Sequence, residues 1–238
     1  EIWGLQYHPE IPYDYMIKLI RYRSKAMIKK KPLNVLDLFC GAGGFSEGFS
    51  QAGYNILAGI DNDNSCLNTY AKNFSGSIAI HKDLAIDNLN GLAPIIDSQV
   101  DIIIGGPPCQ GFSIAGKRIK DDPRNGLYKA YLHLIECFNP KAIVIENVPT
   151  VLGLFAGELA KQIVEDLEFL NYKIKIFKVL ASDYGVPQAR KRVFFVGLRD
   201  KKDIVLPKGK YVNNQVTSSM AISDLPLLNG LLGEFKQN

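Results

Sequence analysis

Three short pieces of this chain carry side chains whose types and spacing could do chemistry. The first is an apolar run, Val100–Ile104, that leads straight into Gly105-Gly106-Pro107-Pro108-Cys109-Gln110-Gly111-Phe112-Ser113. Two prolines fix the backbone there, so the Cys109 thiol is aimed rather than left floppy. A thiol held in this way is either a nucleophile or an inert small hydrophobe. A second apolar run, Ala142–Ile145, delivers Glu146-Asn147-Val148. Finally, Gln188-Ala189-Arg190-Lys191-Arg192 opens a later run, where strand alternation sends Arg190 and Arg192 to the same side. Taken singly, each has an ordinary structural role: core cysteine, helix cap, surface cations. Two strand ends on one sheet edge would carry a thiol and a carboxyl that could face one substrate, and the combination with two arginines is what changes the odds.

The elements that must position them read out of hydrophobic periodicity. Leu33–Phe39, Asn55–Ile60, Ser77–Ile80, Asp101–Ile104, Lys141–Ile145, Tyr172–Leu180 and Arg192–Leu198 read as strands. Phe45–Ala52, Asn64–Asn73, Asn125–Phe138 and Ala156–Leu170 read as helices. Alternating β and α predicts an α/β, doubly wound, mostly parallel sheet with helices on both faces. No helix separates the last two strands, which predicts an antiparallel pair at the edge. In such sheets, ligands sit beyond the carboxyl ends of the strands.

The first strand ends in Asp37-Leu38-Phe39-Cys40-Gly41-Ala42-Gly43-Gly44-Phe45, a glycine turn that opens a helix. Glycines let a ligand approach the backbone, and the helix start favours a negative group such as a carboxylate. Asp61 ends the second strand about 20 residues on, the place for a carboxylate that grips ribose hydroxyls. The pattern suits both NAD and S-adenosylmethionine. Ser46 stands where the third glycine of a dinucleotide fingerprint would fall, which weighs against NAD. Asp83 follows the third strand and is either a ligand for an adenine amino group or an ordinary loop residue. Cys40 reads as a small residue that fits the turn.

Composition adds bounds. The chain has 238 residues, 47% of them hydrophobic, enough for one substantial core. A net charge of +4 permits a nucleic-acid partner without demanding one. The four cysteines (Cys40, Cys66, Cys109, Cys137) lie far apart with no metal-ligand spacing, which points to a reduced cytosolic or nuclear setting without a metal. No apolar stretch is long enough to span a bilayer, and no signal peptide is visible.

With these residues in view, the chain resembles the DNA cytosine-5 methyltransferase family. The matching pieces are DLFCGAGGFSEGF (37–49), GGPPCQGFS (105–113), DPRNGLY (122–128), IENV (145–148), DYGVPQARKRVFFVG (183–197) and AISDLP (221–226), in the family's order. The resemblance implies a Rossmann-like S-adenosylmethionine-dependent fold and methylation of carbon 5 of cytosine in double-stranded DNA. It implies Cys109 as nucleophile, Glu146 as proton donor, Arg192 as the cation on the base and Arg190 in support. Gln110, Ser113 and Gln188 would contact the DNA. Phe39, Gly41, Gly43, Gly44, Asp61, Asn62, Asp83, Leu84, Pro107 and Leu127 would hold S-adenosylmethionine. Asn62 departs from the pattern, since a bulky side chain often stacks on adenine there. The family further suggests a bacterial restriction-modification role, cytoplasmic, or nuclear if eukaryotic.

The resemblance divides the chain into a catalytic region, 32–200, between two flanks. Residues 201–238 form a polar tail leading towards a target-recognition domain not contained in these residues, to be supplied by a separate chain or a missing segment. Residues 1–31, with Ile11-Pro12 ahead of a cationic helix over Tyr13–Met27, are weakly similar to the family's final motif in permuted order. The loop 112–124 is a candidate to close over a flipped base. Four other readings remain open: the same chemistry on RNA, a non-catalytic regulatory subunit, an amino-methyltransferase and an NAD enzyme. The trio of Cys109, Glu146 and Arg192 speaks against the second. A thiol rather than an aromatic after the prolines speaks against the third, and nothing resembling a hydride-transfer site supports the fourth.

Overall fold

A computed structural model describes residues 31–85, 91–96, 98–108 and 126–224. The expected N-terminal helix, Cys109, Gln110, Ser113, the loop 112–124, and Leu225 and Pro226 lie outside the described residues.

The continuously apolar runs become the centre of the sheet. β1 (Asn34–Leu38) and β4 (Ile102–Gly105) are buried along their whole length, and β5 (Ala142–Asn147) along all of it but Glu146. Strands buried on both faces require cover above and below. β2 (Asn55–Asp61) and β3 (Ile78–His81) extend the sheet on one side, and β6 (Lys173–Leu180) and β7 (Lys191–Leu198) on the other. The helices are α1 (Gly44–Gln51), α2 (Asn64–Asn73), α3 (Leu92–Ile95), α4 (Gly126–Phe138), α5 (Glu158–Phe169) and α6 (Ser218–Ala221).

Strand alternation divides the core into two layers. Val35, Ile102, Ile104 and Val144 pack with Phe45 and Phe49 of α1 and with Leu67 and Tyr70 of α2. Leu36, Leu38, Ile103, Ile143 and Ile145 pack with Tyr131 and Leu134 of α4 and with Ile163 and Leu167 of α5. Each such buried side chain contributes about 1.5–3 kcal/mol relative to exposure.

The strand order is β3-β2-β1-β4-β5-β7-β6. β1 to β5 run parallel, and β7 runs antiparallel to both β5 and β6. The expected antiparallel pair is present, with its reversed strand β7 one place in from the edge and β6 outermost. Composition accounts for this choice. Val193–Gly197 is continuously buried, whereas Lys173, Lys175 and Lys178 of β6 are exposed and suit a rim. Strand order reverses between β1 and β4, so a crevice opens beyond their carboxyl ends. Because β7 is reversed, its first residues, Lys191 and Arg192, reach that same edge. No helix among the described residues is long and apolar enough to cross a membrane.

Candidate active site

The crevice holds a small open cleft lined by Phe39, Asp61, Asn62, Lys82, Asp83, Leu84, Pro108 and Leu127. Six of these are residues expected from the sequence. Phe39 directly follows β1 with a left-handed backbone (φ 60), which costs about 1–3 kcal/mol for a non-glycine residue. Asp61 ends β2 and ties the glycine turn down: its Oδ2 accepts the Gly41 N–H at 2.8 Å and its Oδ1 that of Asp63 at 3.0 Å. Each oxygen keeps a further lone pair for a ligand hydroxyl. Gly43, at φ 96, starts α1 beneath the cleft, where a Cβ would fall 2.2 Å from the Phe74 ring. His81 at the end of β3 donates from Nε2 to the Asn62 carbonyl at 3.0 Å. Asp83 Oδ1 accepts from Ala85 N at 2.9 Å. Two carboxylates among Phe39, Leu84, Leu127 and Pro108 suit a flat apolar ring carrying hydroxyl and amino groups, as adenosine does. The donor set therefore fits S-adenosylmethionine.

Under the glycine turn lies a buried polar chain. Asp37 Oδ2 accepts from Ser46 N at 3.1 Å and from Ser46 Oγ at 2.7 Å. Ser46 Oγ lies 3.2 Å from Tyr70 Oη, which lies 3.2 Å from Ser77 Oγ. Asp37 Oδ1 is buried without a partner among the described residues. Burial pushes the Asp37 carboxyl up to about 7, against the pull of the two Ser46 hydrogen bonds. Burial likewise pushes the Cys40 thiol far up, which leaves it an inert part of the turn.

The chemistry end begins where β4 stops. A Cβ on Gly105 would fall 2.5 Å from the Leu38 carbonyl oxygen, so only glycine lets β4 lie this close to β1. A Cβ on Gly106 would lie 3.2 Å from Glu146 Oε2, which places the Glu146 carboxyl against the turn. Pro107 is buried, and its carbonyl accepts from Asn147 Nδ2 at 3.1 Å. Pro108 then forms part of the cleft wall. The three residues immediately before Cys109 thus join the acid at the end of β5 to the cleft.

Glu146 Oε1 lies 2.5 Å from Arg192 Nε. The contact is an ion pair without aligned hydrogen-bond geometry at Nε; Arg192 Nη1 donates to the Lys191 carbonyl at 2.7 Å. Burial raises the Glu146 carboxyl above its ordinary range, and the charges of Arg192 and then Arg190 pull it partly back. The charges of both arginines act on one carboxyl, but Arg190 precedes β7, so strand alternation is not what places it.

The fold therefore brings Phe39, Asp61, Asn62, Asp83, Leu84 and Leu127 together, and separately Glu146, Arg190 and Arg192. Gly41, Gly43 and Gly44 build the turn beside the cleft, Pro107 sits behind the wall that Pro108 lines, and Gln188 is exposed. Lys82 and Pro108 in the cleft and the Asn147 clamp were not picked out from sequence. Their signals were adjacency to Asp83, adjacency to Pro107 and membership of the Glu-Asn-Val piece.

Comparison with known proteins gives one consistent picture. The family model for C-5 cytosine-specific DNA methylase matches residues 33–234. The chain is 42% identical over 206 residues to the type II methyltransferase M.DdeI of Desulfomicrobium norvegicum, covering 82% of this chain and 49% of that protein. It is 38% identical over 219 residues to the type II methyltransferase M1.HphI of Haemophilus parahaemolyticus, covering 90% and 58%. A crystal structure described as a prophage-encoded DNA modification methyltransferase (E. coli) superposes with a TM-score of 0.70 at 35% identity, covering 82% of this chain and 56% of that one. The chain spans about half the length of these relatives.

Proposed function

Since the chain belongs to the C-5 cytosine-specific DNA methylase family, we propose that it transfers a methyl group from S-adenosylmethionine to carbon 5 of a flipped-out cytosine in double-stranded DNA. The observation that carries this reading is the turn 106–108. It lays Gly106 against the Glu146 carboxyl, hands its Pro107 carbonyl to Asn147 and sets Pro108 in the cleft wall.

Carbon 5 of cytosine is too electron-poor to take a methyl group unaided. The Cys109 thiolate adds to carbon 6, and Glu146 in its protonated form gives a proton to ring nitrogen 3. This turns the ring into an enamine whose carbon 5 is nucleophilic. The raised affinity of Glu146 for its proton, caused by burial, suits it to that role. Arg192 stabilises charge developing on oxygen 2, and Arg190 adds positive potential. When bound, S-adenosylmethionine supplies an electrophilic methyl group on a sulfonium; Asp61, Asp83, Phe39 and Leu127 would hold it. A water or hydroxide then takes the carbon-5 proton, the carbon-6–sulfur bond breaks to release the Cys109 thiolate, and nitrogen 3 returns its proton to Glu146. Taking the base out of the stack costs about a few kcal/mol.

The test is covalent trapping on duplexes carrying 5-fluorocytosine in varied contexts, with S-adenosylmethionine present. Fluorine blocks the final elimination, so the expected result is a denaturant-stable adduct from the natural chain and none from Cys109→Ala. An adduct that survives Cys109→Ala would overturn the assignment of the nucleophile. Methyl incorporation into transfer RNA but not DNA would overturn the assignment of the substrate.

A further inference from the structure

After β7 the described residues run back across the body of the fold, mostly exposed but anchored at one buried side chain. Ile204 is 2% exposed and packs in the same core layer as Tyr184 and Val186, with Leu206 against it. From there the chain crosses the loop that joins β6 to β7. The Tyr184 hydroxyl donates to the Pro207 carbonyl at 3.0 Å, and Tyr211 N donates to the Asp183 carbonyl at 2.9 Å. Gln215 Nε2 donates to Asp183 Oδ1 at 3.2 Å, and Ser218 Oγ to the Pro187 carbonyl at 3.3 Å. Two close approaches pin the crossing. A Cβ on Gly209 would fall 2.5 Å from the Asp183 carbonyl oxygen, and one on Gly185 would fall 2.8 Å from the Tyr211 ring. Gly185 also holds a left-handed backbone at φ 91.

The loop under this crossing presents Gln188 and Arg190 and leads directly into Arg192 of β7. It opens with a 3-10 turn, Ala181–Tyr184, closed by Gly185 N to Ser182 O at 3.2 Å. Beyond the turn, backbone bonds run from Val186 N to Ala181 O at 3.3 Å, Gln188 N to Val186 O at 2.7 Å, Arg190 N to Gln188 O at 2.9 Å and Ala181 N to Arg190 O at 2.8 Å. A loop with so little regular structure needs support from outside to hold a guanidinium to the tolerance catalysis requires.

We propose that residues 204–218 form a strap that sets the position of the 185–190 loop, and with it the entry into β7 at Arg192, against Glu146, with Tyr211 as its positioning residue. The functional meaning of the strap rests on the methyl-transfer reading above; its mechanical effect does not. Tyr211 is not among the residues lining the cofactor cleft, and acts by closing over Gly185 and holding the Asp183 carbonyl.

The strap is tested in the full chain with Tyr211→Ala and Gly209→Val, and with Tyr211→Phe as the conservative control. Amide hydrogen exchange is followed over residues 188–192, and the Glu146 carboxyl is titrated by its carbon-13 shift. Loosening the strap is expected to speed exchange in that loop at least tenfold. It should also move the Glu146 titration to higher pH, because the two arginine charges that hold it down become less fixed. Tyr211→Phe, which keeps the ring, should behave like the natural chain. If Gly209→Val does not fold, Tyr211→Ala alone decides. Unchanged exchange and an unmoved Glu146 titration in the alanine variant would overturn the strap, as would a phenylalanine variant that loses as much as alanine. Failure of the natural chain to bind S-adenosylmethionine would instead count against the methyl-transfer reading and leave the strap measurement intact.

Discussion

Replacing Asp37 by asparagine should make the pH dependence of stability visibly flatter. The side chain is 1% exposed and titrates near 7 in the fold, against an ordinary value of 3.8 in the unfolded chain. Below about pH 3.8 both states carry the proton, and the group costs nothing. Between 3.8 and 7 the unfolded chain releases the proton while the native state keeps it, so stability falls as pH rises by about 1.4 kcal/mol per pH unit. Above 7 both states are ionised, and the loss levels off at about 4 kcal/mol. Asparagine keeps an oxygen for Ser46 N and Oγ but stays neutral. It sets an amide N–H₂ where Oδ1 now lies without a partner, at a pH-independent cost of about 1–3 kcal/mol. Other titrating groups cancel in the difference between the two proteins. That difference should therefore swing by about 3 kcal/mol in favour of Asp37→Asn between pH 5 and pH 8, measured by urea unfolding at the two pH values. A difference independent of pH would show that the carboxyl is not held neutral by burial, and the reasoning would fail.

Two further outcomes follow from contacts in the site. Asn147→Ala strands the buried Pro107 carbonyl and should lower stability by about 1–3 kcal/mol. It should also slow 5-fluorocytosine adduct formation while S-adenosylmethionine affinity stays within about twofold, read by denaturation, trapping and calorimetry. Asp61→Ala removes the acceptor of the Gly41 and Asp63 N–H groups together with one of the two cleft carboxylates. The dissociation constant for S-adenosylmethionine should rise at least about tenfold, about 1.4 kcal/mol, in calorimetry; unchanged affinity would remove Asp61 from the cofactor site.

Much of the site was legible because it rests on strand ends. Asp61, Asp83, Glu146 and Arg192 each sit where an apolar run meets a polar residue, and a parallel sheet sends most such places to one edge. Phe39 and Leu127 came from motif resemblance, and the cleft brings both to Asp61. The place of β7 between β5 and β6 was not legible, since periodicity reports whether a strand is buried and not which strand lies beside it. The strap was missed for a different reason. Apart from the Gln215 to Asp183 side-chain bond, its hydrogen bonds end on the carbonyls of Asp183, Pro187 and Pro207, and a carbonyl is present at every residue, so side-chain pattern says little about them. Asn147 and Lys82 were overlooked because their chemistry looked subordinate to that of Glu146 and Asp83 beside them.

The position of β6 bears on how the molecule behaves in company. A sheet's last strand offers one row of amide and carbonyl groups to any extended peptide that drifts past, and eight residues are long enough to template another strand. Here that row is studded with exposed Lys175 and Lys178, with Ile176 the large apolar side chain showing between them. A visiting strand would have to settle beside two ammonium groups and strip part of their water. Lysines on that rim therefore work against fibril growth and strand exchange, because any added strand must be laid down beside charge.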